Sequence, residues 1–282
     1  MKPDFIGLGV QKAGTSWIHA VLRSHPDIEL IATDNDKDSR FFSHFYDHGY
    51  EWYEQYYSGF NPLAVKGEFS TSYFYNSDAP ARLKSYCPDA KLMVCLRDPV
   101  DRILSNHRHE IRLGHISAKN YAIEAGVKNN PMYIEQSRYY THLEKWLEHF
   151  SAEQIQVIIY EDIQDDSAAF AKKMYAFLGV DAAYKPANLE DTVNESRVIK
   201  SQKIRLIKKA ISRIGRTIGL GAVLDKGKAL GVQGVINKAN SDTSSIASVT
   251  MSDEYRVSLK QHFIEENNKL ADYLGRDLDC WK

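Results

Sequence analysis

The chain has 282 residues, 43% of them hydrophobic, and carries 36 Lys and Arg against 37 Asp and Glu for a formal net charge of −1. That length and apolar content suffice for the core of one sizeable α/β domain and exclude wholesale disorder. A near-neutral balance gives no global basis for binding nucleic acid or a membrane, so any electrostatic function has to come from local clusters.

Residues 1–4 are polar and no run of 18 apolar residues follows, so the expectation is a cytoplasmic chain with no signal peptide. Cys87, Cys95 and Cys280 are odd in number, and no His or Cys group has ligand spacing. Reduced thiols are expected, and neither a structural nor a catalytic metal.

Phe5 to Val10 is a short apolar run suited to a buried parallel strand, and Ile18, Val21 and Leu22 recur at helical spacing. The loop between them, Gln11 to Ser16, therefore lies at a strand's carboxyl edge, where open α/β sheets bind ligands. Gly14 permits close backbone approach and the helix start offers N–H groups with a positive dipole end. With the hydroxyls of Thr15 and Ser16 and the charge of Lys12, this chemistry suits an anion. Lys12 precedes the Gly-Thr-Ser, whereas the nucleotide-triphosphatase loop puts its Lys after the last Gly.

Gln11-Lys-Ala-Gly-Thr-Ser-Trp17 resembles the 5′-phosphosulfate loop of the sulfotransferases that use 3′-phosphoadenosine 5′-phosphosulfate (PAPS). The resemblance implies that Lys12 contacts the phosphosulfate bridge, that the stretch Ala13, Gly14, Thr15 and Ser16 holds the 5′-phosphate, and that Trp17 lies against adenine.

Residues 26–60 open as a polar segment, read as an irregular loop feeding a short helix at Phe41 and Phe42. Glycan sulfotransferases of the heparan sulfate type carry an acidic catalytic base four positions before the second Phe of such a pair. The resemblance makes Asp38 the leading base, one methylene shorter than the usual Glu, with Glu68 and His44 behind it. Trp52 and Tyr53 resemble the family's Trp-Tyr segment and are read first as packing residues.

Leu63 to Phe74 reads as a second strand turning polar at Gly67 and Glu68, and it resembles the family's Gly-Glu-Lys-Ser-Pro-x-Tyr. Phe69 stands where many relatives have Lys, and Thr71 where they have Pro. The lost cation leaves Lys66 and Arg40 as candidates to replace it.

Lys91 to Arg97 is another buried-strand run, and Asp98 with Pro99 forms a helix start. The predicted helix runs to about Arg112 and carries Ser105. Arg97-Asp-Pro-Val-Asp-Arg-Ile-Leu-Ser105 resembles the family's 3′-phosphate motif, and Arg suits bidentate phosphate binding. An ion pair of Arg97 with Asp98 or Asp101 is the alternative. Arg102, His107 and His109 are read as surface or acceptor-side residues.

Arg138 to Leu147 predicts a helix with Leu143, Trp146 and Leu147 on one face, and Ile155 to Glu161 a strand, with Glu161 and Asp162 in structural roles. Phe170 to Leu178 predicts a helix stopped by Gly179. Between Lys200 and Arg216 lie seven basic residues and no acidic one, with isoleucines at helical spacing. That helix is open to three readings: a solvated face, peripheral contact with an anionic surface, or closure of the PAPS site by Arg197 or Lys200. From Met251 onward a long helix is expected, capped by Ser252 and ending near Gly275.

Together these readings give an α/β, P-loop-like three-layer domain with a central parallel sheet flanked by helices. It is expected as a single domain over 1–282, with 200–248 a basic helical or loop insertion or lid. The activity implied is transfer of a sulfuryl group from PAPS to a hydroxyl or amine of an acceptor, foremost a carbohydrate, leaving adenosine 3′,5′-bisphosphate. Lys12 would stabilise the leaving oxygen and Asp38 take the proton, with no nucleic acid involved. The alternatives are an ATP-dependent kinase of P-loop ancestry, which lacks a clear Walker-B acid here, and a non-enzymatic nucleotide-binding adaptor.

Overall fold

The structure, a computed structural model, describes residues 1–32, 38–116, 120–187, 189 and 249–281. The stretch 200–248, the basic helix over 200–216 and the candidates Arg197 and Lys200 lie outside these residues.

Apolar runs without polar alternation suit strands covered on both faces. The four expected from sequence become β1 (Phe5–Gly9), β3 (Val65–Phe69), β4 (Lys91–Leu96) and β5 (Ile155–Ile159). A fifth, β2 (Ile28–Leu30), lies at one edge within the segment read as irregular. Its three residues, Ile-Glu-Leu, are too few to display a period, and its strand character comes from pairing with Val65 to Gly67. All pairings are parallel in the order β2-β3-β1-β4-β5.

The central pair is locked by an exchange of side chains. Phe5 pairs with Gly67 and Gly7 pairs with Phe69, so each glycine makes room for the ring opposite. A Cβ on Gly7 would lie 2.0 Å from the Phe69 ring, and one on Gly67 would lie 2.3 Å from that of Phe5. Slipping the register by two residues would set the Phe5 ring against that of Phe69, and slipping it by one would turn the side chains to the opposite face.

The chain divides into two compact units. The first comprises Met1–Ile103, Pro131–Asn194 and Arg256–Lys282 and holds the whole sheet. Its helices include α1 (Thr15–Ser24), the short α2 (Phe41–His44) and α3 (Gly49–Glu54), and α4 (Ala79–Tyr86). The helix starting at Pro99 is α5 (Pro99–Arg112), with Asp98 capping the N–H groups of Val100 and Asp101 at 2.8 and 2.9 Å. In the second unit, Leu104–Asn130 and Glu195–Tyr255, α6 (Ile123–Asn129) follows α5. There His107 bonds the Tyr121 carbonyl at 2.9 Å and Arg108 donates to the Val249 carbonyl.

Farther along come α7 (Met132–Glu135), α8 (Tyr139–Leu147), α9 (Tyr160–Asp165), α10 (Ser167–Leu178) and α11 (Asp253–Leu274). Gly179 ends α10 at φ 83°, and Ser252 accepts the N–H of Tyr255 at the start of α11. β5 stops at Ile159, two residues before the expected end, so Tyr160 opens a helix. No helix among the described residues is long and apolar enough to cross a membrane. Cys87 and Cys95 are buried, Cys280 is exposed, and all three are unbridged.

Gly7→Ala tests the Gly–Phe exchange. Phe69 is 2% exposed, so the added methyl should destabilise the protein by about 1–3 kcal/mol, and Gly7→Ala with Phe69→Leu should recover part of the loss. Urea midpoints measure both, and an unchanged midpoint for Gly7→Ala would contradict the packing.

Candidate functional site

In a parallel sheet all carboxyl ends share one edge, and the connections leaving β1 and β4 run to opposite sides of it. Loops following adjacent strands that diverge in this way frame a crevice. The loop after β1 carries Lys12, and Arg97 directly follows β4.

The first loop is narrow by construction. Gly14 takes φ 80° as N-cap of α1, and Val10 donates to the Cys95 carbonyl at 2.9 Å. Among the described residues, Lys12 (φ 74°) and Arg40 (φ 55°) are the two non-glycine positions with positive φ. Such conformations cost about 1–3 kcal/mol and concentrate at working sites. Ala13 is fully buried, so its methyl packs inward and any ligand contact falls to its backbone. Thr15 is buried, and Ser16 and Trp17 are half-buried in the first turn of α1. The Trp17 indole N–H donates to the Leu189 carbonyl at 3.1 Å, which fixes the ring's orientation.

Arg97 does not form the alternative ion pair: Asp98 is occupied in capping and Asp101 pairs with Arg256 at 2.7 Å. Its guanidinium instead lies 4.8 Å from the centre of the Tyr160 ring and 3.5 Å from the Lys12 carbonyl. Tyr139 donates to the Arg97 carbonyl at 2.8 Å. Tyr160 also closes over Gly14, where a Cβ would stand 2.7 Å from its ring. Tyr160 thus joins the two loops, a role invisible while it was counted as the end of a strand. Glu161 accepts the Asp98 N–H at 3.0 Å and Asp162 pairs with Arg276, the structural roles expected of both. Ser105 belongs to the second unit.

The acidic candidates separate by exposure. Asp38 is half-buried, and its Oδ2 accepts the Thr71 hydroxyl at 3.0 Å. Thr71, read only as a replacement for Pro, therefore supplies a donor that orients the shorter side chain. Glu68 is 1% exposed and accepts from Ser39, from Tyr53 at 2.6 Å, from Tyr73 at 2.9 Å and from Ser70 at 3.3 Å. Burial pushes its carboxyl above the ordinary range while the four hydroxyls pull it back. Enclosed in this way, Glu68 cannot reach an acceptor. His44 is exposed, with Nδ1 2.8 Å from the Ser43 hydroxyl. Tyr53 is fully buried, and beyond packing it serves as a donor to Glu68.

Three further expectations change. Lys66 pairs with Asp4 at 3.0 Å and donates to the Ala64 carbonyl, near the amino end of β3, so it cannot replace the missing cation. Arg40 does sit on the acidic side: its charge, with those of Asp38 and Arg102, acts on half-buried Tyr75. Arg102 and His107, read as surface or acceptor-side residues, are both fully buried. Arg102 is enclosed by the Ser137 hydroxyl at 2.7 Å and the Tyr133 carbonyl at 2.6 Å. No group of three or more His, Cys, Asp or Glu that could hold a metal occurs among the described residues.

Residues 2–228 match the family model described as "Sulfotransferase domain". The mouse heparan sulfate glucosamine 3-O-sulfotransferase 3B1 is 30% identical over 190 residues, covering 63% of this chain and 46% of that protein. The mouse bifunctional heparan sulfate N-deacetylase/N-sulfotransferase 4 is 30% identical over 200 residues, or 64% of this chain and 23% of that protein. The chain thus spans about half the length, or less, of these curated relatives. Among solved structures, a sulfotransferase from Alicyclobacillus acidocaldarius superposes with a TM-score of 0.69 at 22% identity, over 100% of this chain and 99% of that one, a likeness of fold.

Gly14→Ala should damage the loop twice, through its left-handed backbone, at roughly 1–2 kcal/mol, and through the Tyr160 ring. Adding Tyr160→Ala removes only the second. Thermal denaturation should rank the double variant between Gly14→Ala and wild type once the cost of Tyr160→Ala alone is subtracted; a Gly14→Ala protein as stable as wild type would contradict the geometry.

Proposed function

The chain belongs to the sulfotransferase family, and on that premise we propose that it moves a sulfuryl group from PAPS to a hydroxyl or amine of a carbohydrate acceptor. The observation that carries this reading is the junction of two cationic loops at the carboxyl edge of β1 and β4, with the Arg97 guanidinium against the Lys12 carbonyl. PAPS carries anionic groups on both sides of its ribose and needs two such grips. The 5′-phosphosulfate is assigned to Lys12 and to the Ala13, Gly14, Thr15 and Ser16 stretch, the 3′-phosphate to Arg97, and adenine to Trp17.

In the reaction the acceptor oxygen or nitrogen attacks sulfur, and the bond from sulfur to the bridging oxygen breaks. The electron pair leaves with adenosine 3′,5′-bisphosphate. Lys12 and the loop amides stabilise that growing charge, an effect worth about 10²–10³-fold for a well-aimed donor. Asp38, aimed by Thr71, takes the acceptor's proton. The glycan acceptor is suggested by the heparan sulfate sulfotransferases among the relatives and by a base candidate in the family's place.

Transfer of label from radioactive PAPS, screened against glucosamine-containing glycans, phenols and lipids, tests the activity. Label on glycans supports the proposal, and transfer only to phenols or lipids would overturn the acceptor assignment.

Arg97→Ala should weaken adenosine 3′,5′-bisphosphate far more than adenosine 5′-phosphate in calorimetric titrations, because only the former has a 3′-phosphate. Equal losses would move Arg97 to the 5′ side or to folding.

Asp38→Asn should lower kcat by roughly 10²–10⁴-fold with little change in PAPS affinity. A variant within a few-fold of wild type would remove Asp38 from the mechanism.

A further inference from the structure

Glu68 is a buried ionisable group that the reaction does not use directly, yet three of the four hydroxyls bonded to it lead to the loop carrying Asp38. A hydroxyl has one proton to give, and the direction of that proton decides what its oxygen can accept. Three hydroxyls of the cage face the start of α2. Ser70 Oγ accepts the Arg40 N–H at 2.9 Å, Ser39 Oγ accepts that of Phe41 at 3.2 Å, and the Tyr73 hydroxyl accepts that of Phe42 at 3.3 Å. Each then turns its own proton toward Glu68. Tyr53 gives the fourth, and the Tyr57 hydroxyl stands 2.9 Å behind it.

We infer that Glu68 is a positioning residue: as an acceptor-only carboxylate it turns the Ser39, Ser70 and Tyr73 hydroxyls so that they hold the backbone of Arg40, Phe41 and Phe42, and with it the loop that presents Asp38 to Thr71. Ser39 directly follows Asp38, and Ser70 directly precedes Thr71, so the cage grips both partners of the Asp38–Thr71 hydrogen bond one residue away. It also offsets the left-handed backbone of Arg40, the N-cap of this short helix. The inference rests on the reading of Asp38 as the base.

Glu68→Gln is the discriminating change because it keeps the shape and reverses the polarity of one oxygen. Whichever way the amide turns, its NH₂ meets two hydroxyl donors: Tyr53 and Tyr73 on one side, Ser39 and Ser70 on the other. These must swing their protons away, and the loop N–H groups lose ordered acceptors. A carboxylate moved by such loosening loses attack geometry, for which roughly 10- to 100-fold in rate is the expected scale.

The test uses the full chain, with glycan sulfation from PAPS and backbone hydrogen exchange read in parallel. Glu68→Gln should lower kcat about 10- to 100-fold while adenosine 3′,5′-bisphosphate affinity stays within about twofold, and the amides of residues 40–42 should exchange faster. Glu68→Asp, which keeps an acceptor-only carboxylate, should retain more activity than Gln. Ser39→Ala should give a milder form of the same split, and it carries the test if Glu68→Gln fails to fold.

A Glu68→Gln enzyme within about threefold of wild type, with unchanged exchange at 40–42, overturns the inference, as does a loss of nucleotide affinity equal to the loss of kcat. The two assignments fail separately. Inactive Asp38→Asn beside unaltered Glu68→Gln removes the cage and keeps the base. Active Asp38→Asn removes the base, and accelerated exchange in Glu68→Gln would still support the cage's hold on the loop.

Discussion

The site depends on one constraint, the register of β1 between β3 and β4. Phe5 over Gly67 and Phe69 over Gly7 permit one alignment of the central strands, and that alignment determines which residues leave the sheet at its carboxyl edge. Lys12, Thr71 and Arg97 follow three neighbouring strands, β1, β3 and β4. A shift of one residue would turn each strand over and send the loop-proximal side chains to the opposite face. Phe69 belongs to this lock and is a core residue.

Around that frame the chain keeps its polar interior satisfied in a directional way. The cationic side is assembled from aromatic and carbonyl partners: Arg97 rests on Tyr160 and touches the Lys12 carbonyl, with Tyr139 bonded to its own carbonyl. The acidic side is assembled from hydroxyls that converge on Glu68. In both cases the strained residue, Lys12 or Arg40, sits next to a rigid cluster that holds it. Backbone strain of this kind persists only where the surroundings over-determine the conformation.

The division between the two carboxylates follows from the same physics. Burial in a ring of donors gives Glu68 a fixed orientation and removes it from contact with an acceptor. Asp38, one residue beyond the cage and half-buried, keeps a partner that orients it. Thr71 brings a hydroxyl donor to meet the Asp38 carboxylate.

Much of this molecule was legible in its sequence where chemistry is local. Four of the five strands, the Gly14 turn, the Asp98 cap, the Gly179 stop and the long C-terminal helix follow from runs, periods and caps that each occupy a few adjacent residues. The turn from β1 into α1 and the place of Arg97 directly after β4 were readable for the same reason. The tertiary structure alone decided what depends on neighbours distant in sequence: β2, whose three residues are a strand only because Val65 to Gly67 pair with them, and Tyr160, which turns into a helix and meets Gly14. The same holds for the burial of Arg102 beneath the residues from Tyr133 to Ser137, and for the roles of Glu68 and Lys66. Both are charged residues of one strand, two positions apart, and nothing in their immediate sequence distinguishes them. One lies near the carboxyl end among hydroxyls and the other near the amino end beside Asp4, because position along a parallel strand acquires chemical meaning only once its neighbours are in place.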